Sequence, residues 1–150
     1  MGYILDLRRI VGTRVILITG ALVLLFDENN RLLMQKRADN GLWGMPGGSM
    51  EPGETFEACA MRETAEETGL ICQELEYWRH FSGKELFITY PNGDQAYIAT
   101  IAFICRKWNG KMQVQKEEVT RQQFFALEEI PDQLDPISRV ILDAYRSRMK

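Results

Sequence analysis

Six glutamates, Glu51, Glu54, Glu57, Glu63, Glu66 and Glu67, fall between Gly48 and Leu70 in the segment GSMEPGETFEACAMRETAEETGL. Glu63, Glu66 and Glu67 stand at i, i+3 and i+4, so a helix through them gathers all three carboxylates on one face. Like charges at that spacing repel. They also sit close before Gly69, at the helix end whose dipole disfavours anions. Two local rules broken in one segment mark a functional site, because something must offset the repulsion. A divalent cation is the simplest such group. His80 is the only histidine, and Cys59, Cys72 and Cys105 are far apart with no CxxC pair. That argues against a zinc site or a disulfide framework and leaves a hard, oxygen-bound cation, Mg²⁺ or Mn²⁺.

The elements around the segment must hold it in place. A helix is expected from about Thr55 to Thr68, with Thr55 as N-cap and Glu54 and Glu57 beside its positive end. Gly69 suits the left-handed position after the helix, and Leu70 touching Ala65 would complete a Schellman ending. Ala58, Met61 and Ala65 read as the stripe that packs on a sheet. Thr64 is expected to keep its methyl packed and bond its hydroxyl to a carbonyl one turn back.

Before the helix, the apolar run Val15–Asp27 reads as two strand pieces hinged near Gly20, at least one of them buried on both faces. Arg31–Arg37 returns as its hairpin partner, followed by the glycine-rich loop Ala38–Gly48. After the helix, Gln73–Phe81, Glu85–Tyr90, Tyr97–Lys107 and Phe124–Leu127 read as strands, with turns at Pro91–Asp94 and Asn109–Gly110. Pro136 begins a C-terminal amphipathic helix with Ile137, Val140, Ile141, Ala144 and Tyr145 on one face. The expected class is α/β, in one domain spanning 1–150.

Composition narrows the partners. The net charge of −3, from 18 basic and 21 acidic residues, offers no global attraction for nucleic acid or anionic membrane. The longest apolar stretch is too short and too interrupted for a membrane helix, and Asp6 with two arginines breaks any leader-like run. The expected setting is cytoplasmic. An N-terminal strand and exposed sheet edges would permit a homodimer.

From Gly48 there are five residues to Glu54, seven more to Arg62-Glu63, then Glu66-Glu67, one residue, Gly69 and Leu70. This spacing resembles the Nudix box, G-x5-E-x7-R-E-U-x-E-E-x-G-U with U a bulky aliphatic residue, and departs from it only at Thr64. The preceding Gly44-Met45-Pro46-Gly47-Gly48 also resembles the family's approach to the box, and the chain as a whole is similar to small MutT-type members. The resemblance implies the Nudix fold, an α/β/α sandwich around a central mixed sheet. It implies Mg²⁺- or Mn²⁺-dependent hydrolysis of a pyrophosphate bond in a nucleoside diphosphate joined to another group, such as a nucleoside triphosphate or nucleotide sugar.

It also assigns roles. Glu63 and Glu67 are implied as direct metal ligands, Glu66 as a ligand or water-mediated partner, and the Gly47 carbonyl as a backbone ligand. Gly48, Glu54 and Arg62 are supportive, Arg62 by orienting carboxylates. The general base is implied to come from a loop before the Phe124-Phe125 strand: Glu118 first, Glu117 second, with Glu63 as the alternative inside the box, and Glu118 also counts among the metal ligands. Arg37 could meet substrate phosphates and Trp43 could stack on a base, although a surface ion pair and a loop anchor are the plainer readings. Two rival functions stay open: a nucleotide-binding regulatory module of the same fold without turnover, and a 5′-end RNA pyrophosphohydrolase. The partner expected is a small nucleotide, with no stable nucleic acid and no membrane.

Overall fold

The computed structural model describes residues 2–113 and 117–148. Its elements are α1 (Tyr3–Val11), β1 (Ile16–Leu25), β2 (Leu32–Arg37), β3 (Trp43–Gly44), β4 (Gly47–Ser49), α2 (Phe56–Thr68), β5 (Leu70–Phe81), β6 (Phe87–Thr89), β7 (Gln95–Gly110), β8 (Val119–Phe125) and α3 (Pro136–Arg148). Short 3₁₀ turns at Lys84–Leu86 and Leu127–Glu129 complete the path.

β1 runs parallel to β7 from Ile16 beside Ala96 to Leu25 beside Cys105, while β4 and β5 flank this pair antiparallel. The sheet is therefore mixed, in the order β4-β1-β7-β5, with β6 also on β7. Its centre is buried on both faces, as the unbroken apolar run requires. Ala21, Val23 and Leu25 join Cys59 and Ala60 of α2, and the alternate residues Leu22 and Leu24 join Ile141, Leu142 and Tyr145 of α3. The two helices thus cover opposite faces, giving the expected α/β/α layering. A second, antiparallel sheet, β3-β2-β8, stands beside it. No helix among the described residues is long and apolar enough to cross a membrane.

Several local expectations are corrected. Tyr3–Val11, where the sequence predicts no element, is a helix: Ile4, Leu7 and Val11 turn inward at helical spacing, and buried Arg8 closes the end by donating to the Gly12 and Arg14 carbonyls. β1 has no hinge. Gly20 instead serves close approach, since a Cβ there would meet the Gly48 carbonyl oxygen at 2.3 Å. β2 does not return as a hairpin, because both edges of β1 are taken by β4 and β7; among the described residues the one β-bridge between their ends is Phe26 to Leu32. Asn109–Gly110 does not turn the chain but continues the β7 ladder opposite Ile71 and Leu70. Glu85–Tyr90 splits into a 3₁₀ turn and the short β6.

α2 keeps its expected ends with altered detail. Thr55 Oγ1 accepts from Ala58 N at 3.0 Å, and Gly69 is left-handed at φ 79° with its N–H on the Ala65 carbonyl. The ending is the single-bond αL type rather than Schellman, because Leu70 N donates to Thr68 Oγ1 instead. Thr68, not Thr64, makes the back-bond, donating at 2.6 Å to the Thr64 carbonyl. Thr64 Oγ1 is buried without a hydrogen-bond partner among the described residues. The packed face is Cys59, Ala60, Thr64 and Thr68, whereas Ala58 is exposed and Met61 is 40% exposed. The helix is rotated from the expected stripe because Glu63 and Glu67 turn toward the β4 glycines.

Candidate metal-binding active site

Bare backbone makes the site. A Cβ on Gly47 would come 2.5 Å from the Ala21 carbonyl oxygen, and one on Gly48 would come 2.4 Å from Glu63 Cδ. Glycine at 47 lets β4 close on β1, and glycine at 48 lets the Glu63 carboxylate close on β4.

Arg62 is the strut at the leading end of the site. Its Nε and Nη2 donate to Glu54 at 2.6 and 2.9 Å, its Nη2 to the Ser49 carbonyl at 3.1 Å, and its Nη1 to Glu63 at 2.9 Å. Glu54 also accepts from Glu51 N at 2.8 Å. This bidentate, charge-assisted pairing joins the loop before α2 to the helix. The Arg62 hydrogen bond holds the Glu54 carboxyl down at about 2. The same bond, chiefly, raises the guanidinium pKa above its ordinary value.

The other end is short of positive charge. Glu67 Oε1 accepts from Gly47 N at 2.9 Å and from Gln35 Nε2 at 3.0 Å, with no cationic side chain bonded to it among the described residues. Burial pushes its carboxyl up to about 8 against the pull of the Gly47 N–H, and the charges of Glu63 and Glu118 push the same way. Burial likewise pushes Glu63 up to about 7, despite its bond to Arg62, with Glu66 and Glu118 adding to the rise. Glu66 lies at the rim, 55% exposed, and reaches Arg62 Nη1 at 3.5 Å.

Of the residues singled out from sequence, Gly47, Gly48, Glu54, Arg62, Glu63 and Glu67 are thus brought together. Glu118 is exposed at the head of β8, its carbonyl accepting from Ala38 N at 2.9 Å, and its charge is felt by both Glu63 and Glu67. Among the described residues no three His, Cys, Asp or Glu side chains form a ready-made metal cage. The donors nevertheless fit a hard dication. Two withdrawn carboxylates, only one of them bonded to an arginine, leave a deficit of positive charge that an oxygen-bound Mg²⁺ or Mn²⁺ relieves.

Arg37 forms a two-bonded pair with Asp39 at 3.0 and 2.8 Å and stays partly exposed. Trp43 is buried edge-to-face on Phe125, centroids 5.2 Å apart, which is the loop-anchor role. Gln35 and Gln122, which approach Glu67 from the second sheet, were not singled out from sequence. A lone glutamine closing the apolar run Leu32–Met34 was the available signal for the first of them.

Comparison with known proteins agrees with this geometry. A profile of the NUDIX domain matches residues 17–145. An ADP-ribose pyrophosphatase of Methanocaldococcus jannaschii is 29% identical over 128 residues, covering 81% of this chain and 70% of that protein. A MutT-like protein of Streptomyces ambofaciens is 31% identical over 118 residues, covering 78% and 70%. The crystal structure of a MutT NUDIX hydrolase from Burkholderia pseudomallei superposes with a TM-score of 0.72 at 23% identity, covering 85% of this chain and 97% of that one. With box, layering and profile in agreement over most of its length, the chain belongs to the Nudix family, as a MutT-like hydrolase of acid anhydrides.

Proposed function

We propose that this single domain hydrolyses a pyrophosphate bond in a nucleoside diphosphate linked to another group, with Mg²⁺ or Mn²⁺ held by Glu63 and Glu67. The observation that carries the reading is the pair of withdrawn carboxylates toward the C-terminal end of α2, of which Glu63 alone is bonded to an arginine. A cation bound there supplies charge neutralisation at the phosphate oxygens and acidifies its water. The Gly47 carbonyl and Glu66 complete the ligand set from either side. Arg62 keeps Glu63 aimed at the strand, and Glu118, exposed at the head of β8, takes the proton of the attacking water. Glu118 is preferred to Glu117 because its charge reaches both ligands. Arg37, at the end of β2, meets substrate phosphates once its bond to Asp39 opens. Three free, buried cysteines suit a reducing, cytoplasmic setting.

The substrate class takes support from the M. jannaschii relative, whose named substrate, ADP-ribose, is a nucleoside diphosphate joined to a sugar. The test is release of nucleoside monophosphate, phosphate or pyrophosphate from ADP-ribose and the nucleoside triphosphates, with Mg²⁺, with Mn²⁺ and in chelator. Cation-dependent turnover is expected. Tight binding of a nucleotide with no turnover of any would replace this reading with a binding module, and turnover confined to 5′-triphosphorylated RNA would move the substrate class.

A further inference from the structure

We propose that Gln35 and Gln122, paired across the second sheet, are positioning residues that aim the Glu67 carboxylate. The inference rests on the proposed role of Glu67 as a cation ligand. Gln35 on β2 and Gln122 on β8 are direct cross-strand partners, so their side chains share one face. Gln122 Nε2 donates to the main-chain carbonyl of Glu67 at 2.7 Å and to Gln35 Oε1 at 3.2 Å. Gln35 Nε2 then donates to Glu67 Oε1 at 3.0 Å. The relay begins and ends on one residue, from its backbone oxygen round to its carboxylate.

The direction of the relay follows from chemistry. A main-chain carbonyl only accepts, so the Gln122 NH₂ must face it, although this leaves Gln122 Oε1 buried and unbonded among the described residues. The second N–H of that amide needs an acceptor, which fixes the Gln35 oxygen toward Gln122. The Gln35 NH₂ is thereby turned to Glu67, where it holds the carboxylate oxygen Oε1 in a fixed direction. Gln35 is only 5% exposed, and burying an amide is unfavourable unless its bonds are made. Apolar side chains fill the preceding positions, Leu32 to Met34, so packing alone gives no reason for an amide here. Because β8 also carries Glu118 just before its start, the relay fixes the strand of the proposed base to the helix of the ligand.

Mn²⁺ affinity of the full chain without nucleotide, read at pH 8 from the electron paramagnetic resonance of free Mn²⁺, tests this in wild type, Gln35→Leu, Gln122→Leu and Gln122→Glu. Gln122→Glu keeps the shape but sets an acceptor against the Glu67 carbonyl, so it reports on the relay without leaving a cavity. Each variant is expected to bind Mn²⁺ about 10- to 100-fold more weakly. The Mn²⁺ concentration for half-maximal turnover should rise by the same factor, with kcat recovering at saturating Mn²⁺. If Gln35→Leu and Gln122→Glu fold and bind within twofold of wild type, the relay is overturned. If wild type itself binds no Mn²⁺, the proposed function falls first and takes the relay with it.

Discussion

The two ends of α2 treat the same side chain in opposite ways. At the leading end Glu54 meets a guanidinium through two bonds, and its carboxyl is held at about 2. More than three turns along, Glu67 lies half-buried against a backbone N–H and an amide, and its carboxyl is pushed up to about 8. One carboxylate is satisfied by the protein and the other is left wanting a cation. The cluster of acids is thus two devices, a fastening and a receptor, and the arginine between them belongs mostly to the fastening.

That contrast can be broken most sharply at the receptor. Glu67→Gln, and equally Glu63→Gln, should lower kcat at saturating Mg²⁺ by about 100- to 1,000-fold, the scale of losing one preorganised electrostatic contact at the reacting centre. Glu118→Gln, which removes the proposed base, should cost roughly 100-fold in kcat at saturating Mg²⁺. At the fastening, Arg62→Ala should instead lower stability by about 1–2 kcal/mol in a urea titration, a figure kept small because the arginine is 29% exposed. Equal turnover losses in Glu54→Gln and Glu67→Gln would erase the distinction.

The smallest effect is a difference in sign with pH. The Glu67 carboxyl is raised from 4.5 to about 8, so its contribution to metal-free stability is complete below pH 4.5 and lost as pH climbs through about 8. The Glu54 carboxyl is lowered from 4.5 to about 2, so its contribution is present above pH 4.5 and lost as pH falls through about 2. In chelator, the melting temperature of Glu67→Gln should therefore gain on wild type between about pH 5 and 9. Saturating Mg²⁺ should reverse that gain, since only wild type binds it fully. A pH-independent difference would show that Glu67 is not the withdrawn acid without a cationic partner described above.

The legible parts of the molecule were those decided within a few residues. Thr55 and Gly69 mark the ends of α2 because a hydroxyl cap and a left-handed residue are local requirements, and Gly69 is further held by the Lys111 carbonyl, 2.5 Å from where a Cβ would sit. The phase of the same helix was not legible. Ala58 and Met61 look as packable as Cys59 and Ala60 until Gly48 opens a socket for Glu63 and turns the helix toward it. Strand partners were hidden for the same reason: Arg31–Arg37 carries no sign that both edges of β1 are already filled. The site shows the same division. The box glutamates announce themselves through mutual repulsion at helical spacing, whereas Gln35 and Gln122 lie 87 positions apart and acquire meaning only when β2 and β8 pair.

β1 has a consequence for how the molecule comes apart. From Ala21 to Leu25 its odd residues belong to the layer under α2 and its even residues to the layer under α3, so one strand is a shared wall. Neither layer can melt while the other keeps its packing, because loosening one strips half the side chains from the strand that supports both. The slowest-exchanging amides should therefore be those between β1 and β7, opening only when the whole chain unfolds.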